Sequence, residues 1–301
     1  MRRLIAAIGR SFVTVGLLIL LFVAYQLWGT GLYTAREQSR LRNQFEHALH
    51  LAKPPSTSPS TTTVVTRPET ASSTTTTTEP APLPPPVGDA IAQIRIPRIG
   101  VDDIVVNGIS RDDLRKGPGH YPDTPLPGET GNAAIAGHRT TYGAPFGRLD
   151  ELSIGDLILF RTLTGTYTYV VYETPFAVQP NDVTVLKTNP LHPAILTLTT
   201  CTPKYSAAQR LIVHAALKEK PLPAPVIKHK PRLRAEGLSG GQSSKTPTVI
   251  AGLIAALVGL LWWLLFHRHP RWTTWLIGAL PFAVTLFFFY SYLERILPSN
   301  Y

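Results

Sequence analysis

A single cysteine, Cys201, stands in 301 residues. With no second thiol there is no internal disulfide framework, so the fold must close on packing and hydrogen bonds. Nor do cysteine and histidine recur at the short paired spacings of a zinc site. His120, His138 and Cys201 would have to be gathered by the fold alone, and no metal or cofactor is expected. Acidic residues are scarce too, 19 against 29 Lys and Arg, for a net charge of +10. That excess invites a nucleic-acid reading, and its placement excludes it. Across residues 89–218 basic and acidic side chains balance at twelve each, leaving no clustered basic footprint. The surplus lies at Arg2, Arg3 and Arg10, between Arg36 and Arg42, and between Lys228 and Arg234. All three groups flank apolar runs, where positive charge orients a span and attracts anionic head groups. The expected partner is a lipid bilayer.

Three stretches lack charge. Residues 11–28, SFVTVGLLILLFVAYQLW, approach the length that crosses a bilayer core. The following Gly29 to Tyr33 lacks the small-x-small pattern of a leader cleavage site, so the run reads as an uncleaved anchor, with residues 1–10 cytoplasmic. Residues 248–266 and 272–293 read as two further spans joined by the basic, cytoplasmic turn 267–271, with the tail 294–301 outside. Residues 29–51 place Leu41, Phe45 and Leu49 at helical spacing and predict a short juxtamembrane helix. Residues 52–88 are dominated by Pro, Ser and Thr, 25 of 37. Such a segment cannot offset its ordering entropy by burial and reads as an extended, disordered spacer whose hydroxyls are open to glycosylation. Residues 219–247 form a basic linker. The remainder, 89–218, is one domain held outside the cytoplasm of a multi-pass plasma-membrane protein.

Within that domain helix signals are few. Ser110 to Arg115, with Ser110 as N-cap and Asp112 and Asp113 in the first turn, is the one predicted helix. Seven runs rich in Val, Ile, Thr and Tyr predict strands: 90–96, 104–106, 132–136, 157–161, 167–178, 194–200 and 210–217. Many short strands imply an all-β barrel or sandwich. Alternation in Leu196-Thr197-Leu198-Thr199-Thr200-Cys201 puts the leucines on the inner face and Thr197, Thr199 and Cys201 on the other. Leu211 and Val213 likewise leave Arg210 outward. If the strands pair as a hairpin, Cys201 and Arg210 share one outer face, and the thiol is expected to be exposed beside a cation, as reactive cysteines are. His138 closes a strand. His120, His192 and His214 lack a comparable context, and His214 reads as a surface residue of the last strand.

Three segments carry a resemblance: Ala136-Gly137-His138-Arg139-Thr140-Thr141-Tyr142-Gly143-Ala144-Pro145-Phe146, Thr197-Leu198-Thr199-Thr200-Cys201-Thr202-Pro203, and Ser206-Ala207-Ala208-Gln209-Arg210-Leu211-Ile212-Val213. In order and spacing they resemble the signatures of sortases, most of all the class E sortases of actinobacteria. The resemblance implies a closed β-barrel with short helices. It implies a cysteine transpeptidase that cuts a Leu-x-x-Thr-Gly-type sorting signal, of Leu-Ala-x-Thr-Gly form, and passes the protein to a cell-wall amine. Its partners would be secreted proteins bearing that C-terminal signal, a peptidoglycan precursor amine and the lipid bilayer. It assigns Cys201 as nucleophile, His138 as general acid and base, and Arg210 as the cation that orients substrate or stabilises the oxyanion. On the substrate side it matches Tyr121 to a tyrosine that reads the second signal position, and Thr200 to a supporting hydrogen bond. The family usually has one span, so the C-terminal helical pair is an addition. A papain-like enzyme would place the cysteine before the histidine and on a helix. A stalked, non-catalytic binding module would explain spans and spacer but not the three segments.

Overall fold

The structure, a computed structural model, describes residues 2–52, 86–188, 191–223, 238, 245–266 and 272–294. Nearly all of the spacer, most of the basic linker, the turn 267–271 and the tail beyond Glu294 lie outside the described residues.

The strands are β1 (Ala90–Ile96), β2 (Val101–Asn107), β3 (Gly119–His120), β4 (Gly131–Ala136), β5 (Leu157–Thr162), β6 (Gly165–Val171), β7 (Phe176–Val178), β8 (Ala194–Thr202) and β9 (Gln209–Leu217). They pair in the order β6-β5-β1-β2-β3-β4-β8-β9, and a β6–β9 pairing closes the circle. The expected barrel is thus an eight-stranded one, with β7 added along the first half of β9. The run 167–178 is therefore two strands, not one. The break falls at Tyr172 to Pro175, where proline cannot donate to a ladder. Ile94, Ile96, Ile135, Phe160, Tyr169, Leu196, Leu198 and Val213 fill the interior, on the alternation the sequence shows.

A second apolar cluster lies outside the barrel wall, over β4, β8 and β9. It holds Ile109, Leu114, Tyr121, Ala134, Ala136, Val185, Ile212 and Leu238, flanked by Phe176 and Val178 of β7. Its outer rim is a 3₁₀ turn, Val183–Leu186. Three side chains pin that turn through the Val185 carbonyl: Asn132 Nδ2 donates at 3.1 Å, Thr197 Oγ1 at 3.3 Å, and His214 Nε2 lies at 3.1 Å. His214 also contacts Glu173 through Nδ1 and is buried, not the surface residue expected. A short helix, α3 (Arg111–Leu114), follows Ser110, whose Oγ accepts the Asp113 N–H at 3.2 Å as an N-cap.

The N-terminal helix differs from expectation in extent. α1 (Arg2–Ala24) runs through a π-helical turn (Tyr25–Gly29) into α2 (Thr30–Ala52), and α2 packs on the barrel. Leu41 and Phe45 bury against Ile104 and Val106. Gln38 behaves as a strand partner: Nε2 donates to the carbonyls of Ile104 and Lys116, each at 2.9 Å, and Oε1 accepts the Ile104 N–H at 2.7 Å. Two C-terminal helices follow, α4 (Thr246–Phe266) and α5 (Trp272–Glu294, with Pro281 inside). Among the described residues one segment, Thr246–Leu265, is long and apolar enough to cross a membrane, with mean hydropathy 2.3; the apolar runs Phe12–Ala24 and Ile277–Leu293 are shorter.

Candidate active site

The three strands under the outer cluster carry the residues singled out from sequence. β8 and β9 are antiparallel, and their register sets Cys201 directly opposite Arg210, Thr199 opposite Ile212 and Thr197 opposite His214. β4 runs parallel to β8 on its other side, with Ala136 beside Thr199. His138 follows Ala136 by two residues, as Cys201 follows Thr199. Strand pairing thus gathers one residue from each segment onto neighbouring strand ends.

The hand-off from β4 to His138 is tightly built. Gly137 donates its N–H to the Thr199 carbonyl at 3.1 Å and accepts Thr200 Oγ1 at 2.7 Å. A Cβ on Gly137 would meet the Phe146 ring at 2.6 Å, so any side chain there would have to displace that buried ring. Thr200 is one residue out of phase with Cys201, and its hydroxyl serves this strand-to-strand bond. The role the structure gives it is positioning of the segment before His138.

The loop after His138 returns on itself: Phe146 N–H donates to the His138 carbonyl at 3.1 Å, and Thr141 Oγ1 lies 3.3 Å from His138 Nδ1. Tyr142, Gly143 and Ala144 all take left-handed φ, 52°, 76° and 46°. For the two non-glycine residues this costs about 1–2 kcal/mol each. Contacts from α2 hold the strained loop. Tyr142 N–H donates to Thr30 Oγ1 at 3.3 Å. The Arg115 guanidinium lies 5.1 Å from the Tyr33 ring centre and 5.3 Å from that of Tyr142. Tyr142 in turn lies 4.9 Å from the His138 ring. α2 therefore buttresses the histidine loop.

Cys201 is 1 % exposed, which corrects the expectation of an open thiol. Alternation tells which face a side chain takes and carries no information on what covers that face. Burial pushes the thiol up to about 11, opposed by the positive charges of Arg210 and then Arg139. Arg210, 2 % exposed, donates Nη1 to the carbonyls of Ala207 and Gln209, each at 3.1 Å. Arg139 is the residue that sequence reasoning passed over, although it stands next to His138. Its Nη1 donates to the Cys201 carbonyl at 3.0 Å, and Nη2 pairs with Asp150 at 3.1 Å. One side chain thus ties the histidine loop to the Cys201 backbone. No spacing signal marks it, because the contact is between strands.

Tyr121 is buried in the outer cluster, and its hydroxyl donates to the Leu238 carbonyl at 3.3 Å. His120 is a structural residue. Its Nε2 lies 2.9 Å from the Pro125 carbonyl, and burial lowers its pKa to about 4. Among the described residues no group of His, Cys, Asp and Glu forms a metal-ligand cluster.

A family model, the sortase domain, matches residues 94–218. The chain carries a sortase domain. Sortase SrtE1 of Streptomyces coelicolor is 30 % identical to it over 229 residues, 71 % of this chain and 57 % of that protein. Sortase D of Bacillus subtilis is 36 % identical over 119 residues, 40 % of this chain and 58 % of that protein. The solved sortase E of Streptomyces avermitilis is 36 % identical, with a TM-score of 0.40 over 45 % of this chain and 93 % of that one. This chain spans a little under 60 % of the two curated relatives. Sortases are cysteine transpeptidases, and the sortase domain here contains the chain's single cysteine.

Proposed function

We propose that this sortase cleaves a Leu-x-x-Thr-Gly-type signal, of Leu-Ala-x-Thr-Gly form, and joins the released carbonyl to a cell-wall amine. The observation that carries the reading is the pairing of Cys201 with Arg210 across β8 and β9, with His138 two residues beyond Ala136, the β4 partner of Thr199. The Cys201 thiol attacks the Thr carbonyl, forming an S–C bond, while its proton passes to His138. The oxyanion that develops takes a hydrogen bond from Arg210, whose charge is permanent and whose fork is fixed by loop carbonyls. The Thr–Gly C–N bond then breaks, and the His138 proton goes to the leaving Gly amine. The acceptor amine attacks the thioester, gives its proton to His138, and the thiol is regenerated as the new amide forms. A thiol as basic as that of Cys201 holds almost no free thiolate at neutral pH, so deprotonation is coupled to substrate binding and to His138. Arg139 positions the nucleophile's backbone, and Tyr121 lies on the substrate side.

The chain crosses the plasma membrane three times, with the sortase domain outside. Support comes from the outward apolar faces of α1 and α4 and from how the helices fit. Gly252 and Gly259 of α4 admit the Phe289 and Phe282 rings of α5. Tyr290 of α5 donates to the Leu18 carbonyl of α1 at 2.7 Å, and Tyr25 Oη lies 3.0 Å from Ser291 Oγ. Small residues at close approach and polar links are how helices associate in lipid. A stalked binding module is the rival reading. Incubating the full chain in nanodiscs with a Leu-Ala-Glu-Thr-Gly peptide and glycine amide tests the choice by mass. Transpeptidation product is expected from the parent and none from Cys201→Ala. Product from that variant, or none from the parent, overturns the assignment.

A further inference from the structure

α2 continues α1, the proposed anchor, yet its first turn reaches the loop that follows His138. Thr30 opens α2. Its Oγ1 donates to the Gln26 carbonyl of the π-helical turn at 2.7 Å and accepts the Tyr142 N–H at 3.3 Å. One turn on, Thr34 Oγ1 donates to the Arg115 carbonyl at 2.9 Å. Tyr33, beside it in sequence, brings its ring to the Arg115 side chain. The guanidinium lies over two rings, 5.1 Å from the centre of Tyr33 and 5.3 Å from that of Tyr142. Those rings meet edge to face at 6.3 Å, and the Tyr142 ring lies 4.9 Å from the His138 ring at a tilt of 38°. Contact thus runs unbroken from Tyr33 through Arg115 and Tyr142 to His138.

Three of these side chains are buried: Tyr142, Arg115 and His138. A buried guanidinium is costly unless its charge is met. Asp112 meets it at 3.6 Å, and the electron-rich faces of Tyr33 and Tyr142 add to that. The loop itself holds three successive left-handed residues, Tyr142, Gly143 and Ala144, a strained conformation that persists only where the surroundings impose it. Thr30 and the ring of Tyr33 belong to those surroundings. We infer that Tyr33 of α2 is a positioning residue for His138, holding the imidazole in its proton-transfer orientation through Arg115 and Tyr142; this rests on the proposed sortase function. A general acid and base must stand within hydrogen-bond reach of the atoms it serves. A misplacement of about 1 Å can cost roughly 100-fold in rate. Turnover is therefore tied to the segment that joins the sortase domain to its anchor, although Tyr33 touches neither substrate nor reacting atoms.

The test uses the full chain in nanodiscs with a fluorogenic Leu-Ala-Glu-Thr-Gly peptide and glycine amide. Tyr33 is 40 % exposed, so its replacement leaves the core intact. Tyr33→Leu is expected to lower kcat about tenfold with KM little changed, the pattern of a loss felt in the transition state alone. Tyr33→Phe keeps a ring beside Arg115 and is expected to recover the parental kcat. A purely structural Tyr33 would lower the thermal midpoint of the Leu variant and leave its kcat unchanged well below that midpoint; that result overturns the inference. A second readout needs no activity. With histidine rings labelled with carbon-13, the His138 signal is identified by its loss in His138→Gln. Tyr33→Leu is expected to move that signal, because the Tyr142 ring beside it shifts, and Tyr33→Phe to leave it in place. A His138 signal identical in the parent and Tyr33→Leu also overturns the inference. Absence of cleavage by every chain, with the signal moved, overturns the sortase function and leaves Tyr33 as the residue that orients His138.

Discussion

Cys201 and Arg139 are joined through the main chain: the guanidinium donates to the Cys201 carbonyl at 3.0 Å while it pairs with Asp150. This cation reaches the backbone under the thiol, and Arg210 stands across the ladder. Both charges oppose the effect of burial on the thiol. The thiol is thus buried and neutral, with two cations nearby that oppose the effect of burial.

Alkylation of the resting full chain by iodoacetamide is accordingly expected to be slow at pH 7 and to rise toward a midpoint near 11. Arg139→Met removes one of the two cations that lower this value, so its alkylation profile moves to higher pH. Transpeptidation by the same variant falls as well, because the Cys201 carbonyl loses its anchor. An alkylation midpoint near the ordinary cysteine value of about 8.5 in the parent contradicts the buried, neutral thiol.

His120 gives a stability prediction with a defined sign. Its folded pKa is lowered to about 4, against an ordinary value of 6.5, because burial disfavours the charged ring. Above the unfolded value both states are neutral and the native state has its full advantage. As pH falls, the unfolded chain takes up the proton first, and stability is lost until the folded pKa is reached, by up to about 3 kcal/mol. Denaturant titrations between pH 7 and 4 are expected to show this loss in the parent and a smaller one in His120→Gln. Equal slopes in the two chains would remove His120 as the cause.

Much of this was legible in the sequence because strands alternate. The leucines of β8 are inside and Thr197, Thr199 and Cys201 outside, and the hairpin of β8 and β9 agrees with Leu211 and Val213 facing in. Features that depend on distant chain were not legible. β3 has two residues, too few for any period to show. Arg139 and Leu238 act through contacts with residues far along the chain, Cys201 and Tyr121. α2 was seen as an amphipathic helix through Leu41, Phe45 and Leu49, but the pattern does not say that Gln38 satisfies the edge of β2.

The three-span topology is tested by thiol labelling. In a Cys201→Ala background, a cysteine placed within residues 267–271 is expected to be shielded from a membrane-impermeant maleimide on intact cells. One placed within residues 74–78 is expected to react once the wall is permeable to the reagent. Labelling of the 267–271 position on intact cells reverses the orientation of α4 and α5.

The final prediction separates two ways in which Arg210 can serve the reaction. Its Nη1 donates to the Ala207 and Gln209 carbonyls, which fixes the plane of the guanidinium. If the fork stabilises the oxyanion, Arg210→Lys keeps the charge and loses both the anchorage and the geometry. Loss of a well-placed oxyanion donor costs roughly 100- to 1,000-fold in turnover, so Lys is expected to be badly impaired, with Ala somewhat worse. If Arg210 acts instead as a charge that favours the Cys201 thiolate, Lys retains most activity. In that case high pH rescues Ala as the thiol ionises. The pH–rate profiles of Arg210→Lys, Arg210→Ala and the parent separate the two. The geometry of the loop favours the first, since a guanidinium docked on two carbonyls is held for direction, whereas a point charge needs no such anchoring. A nearly active Lys variant, or an Ala variant restored at high pH, would show that charge alone suffices.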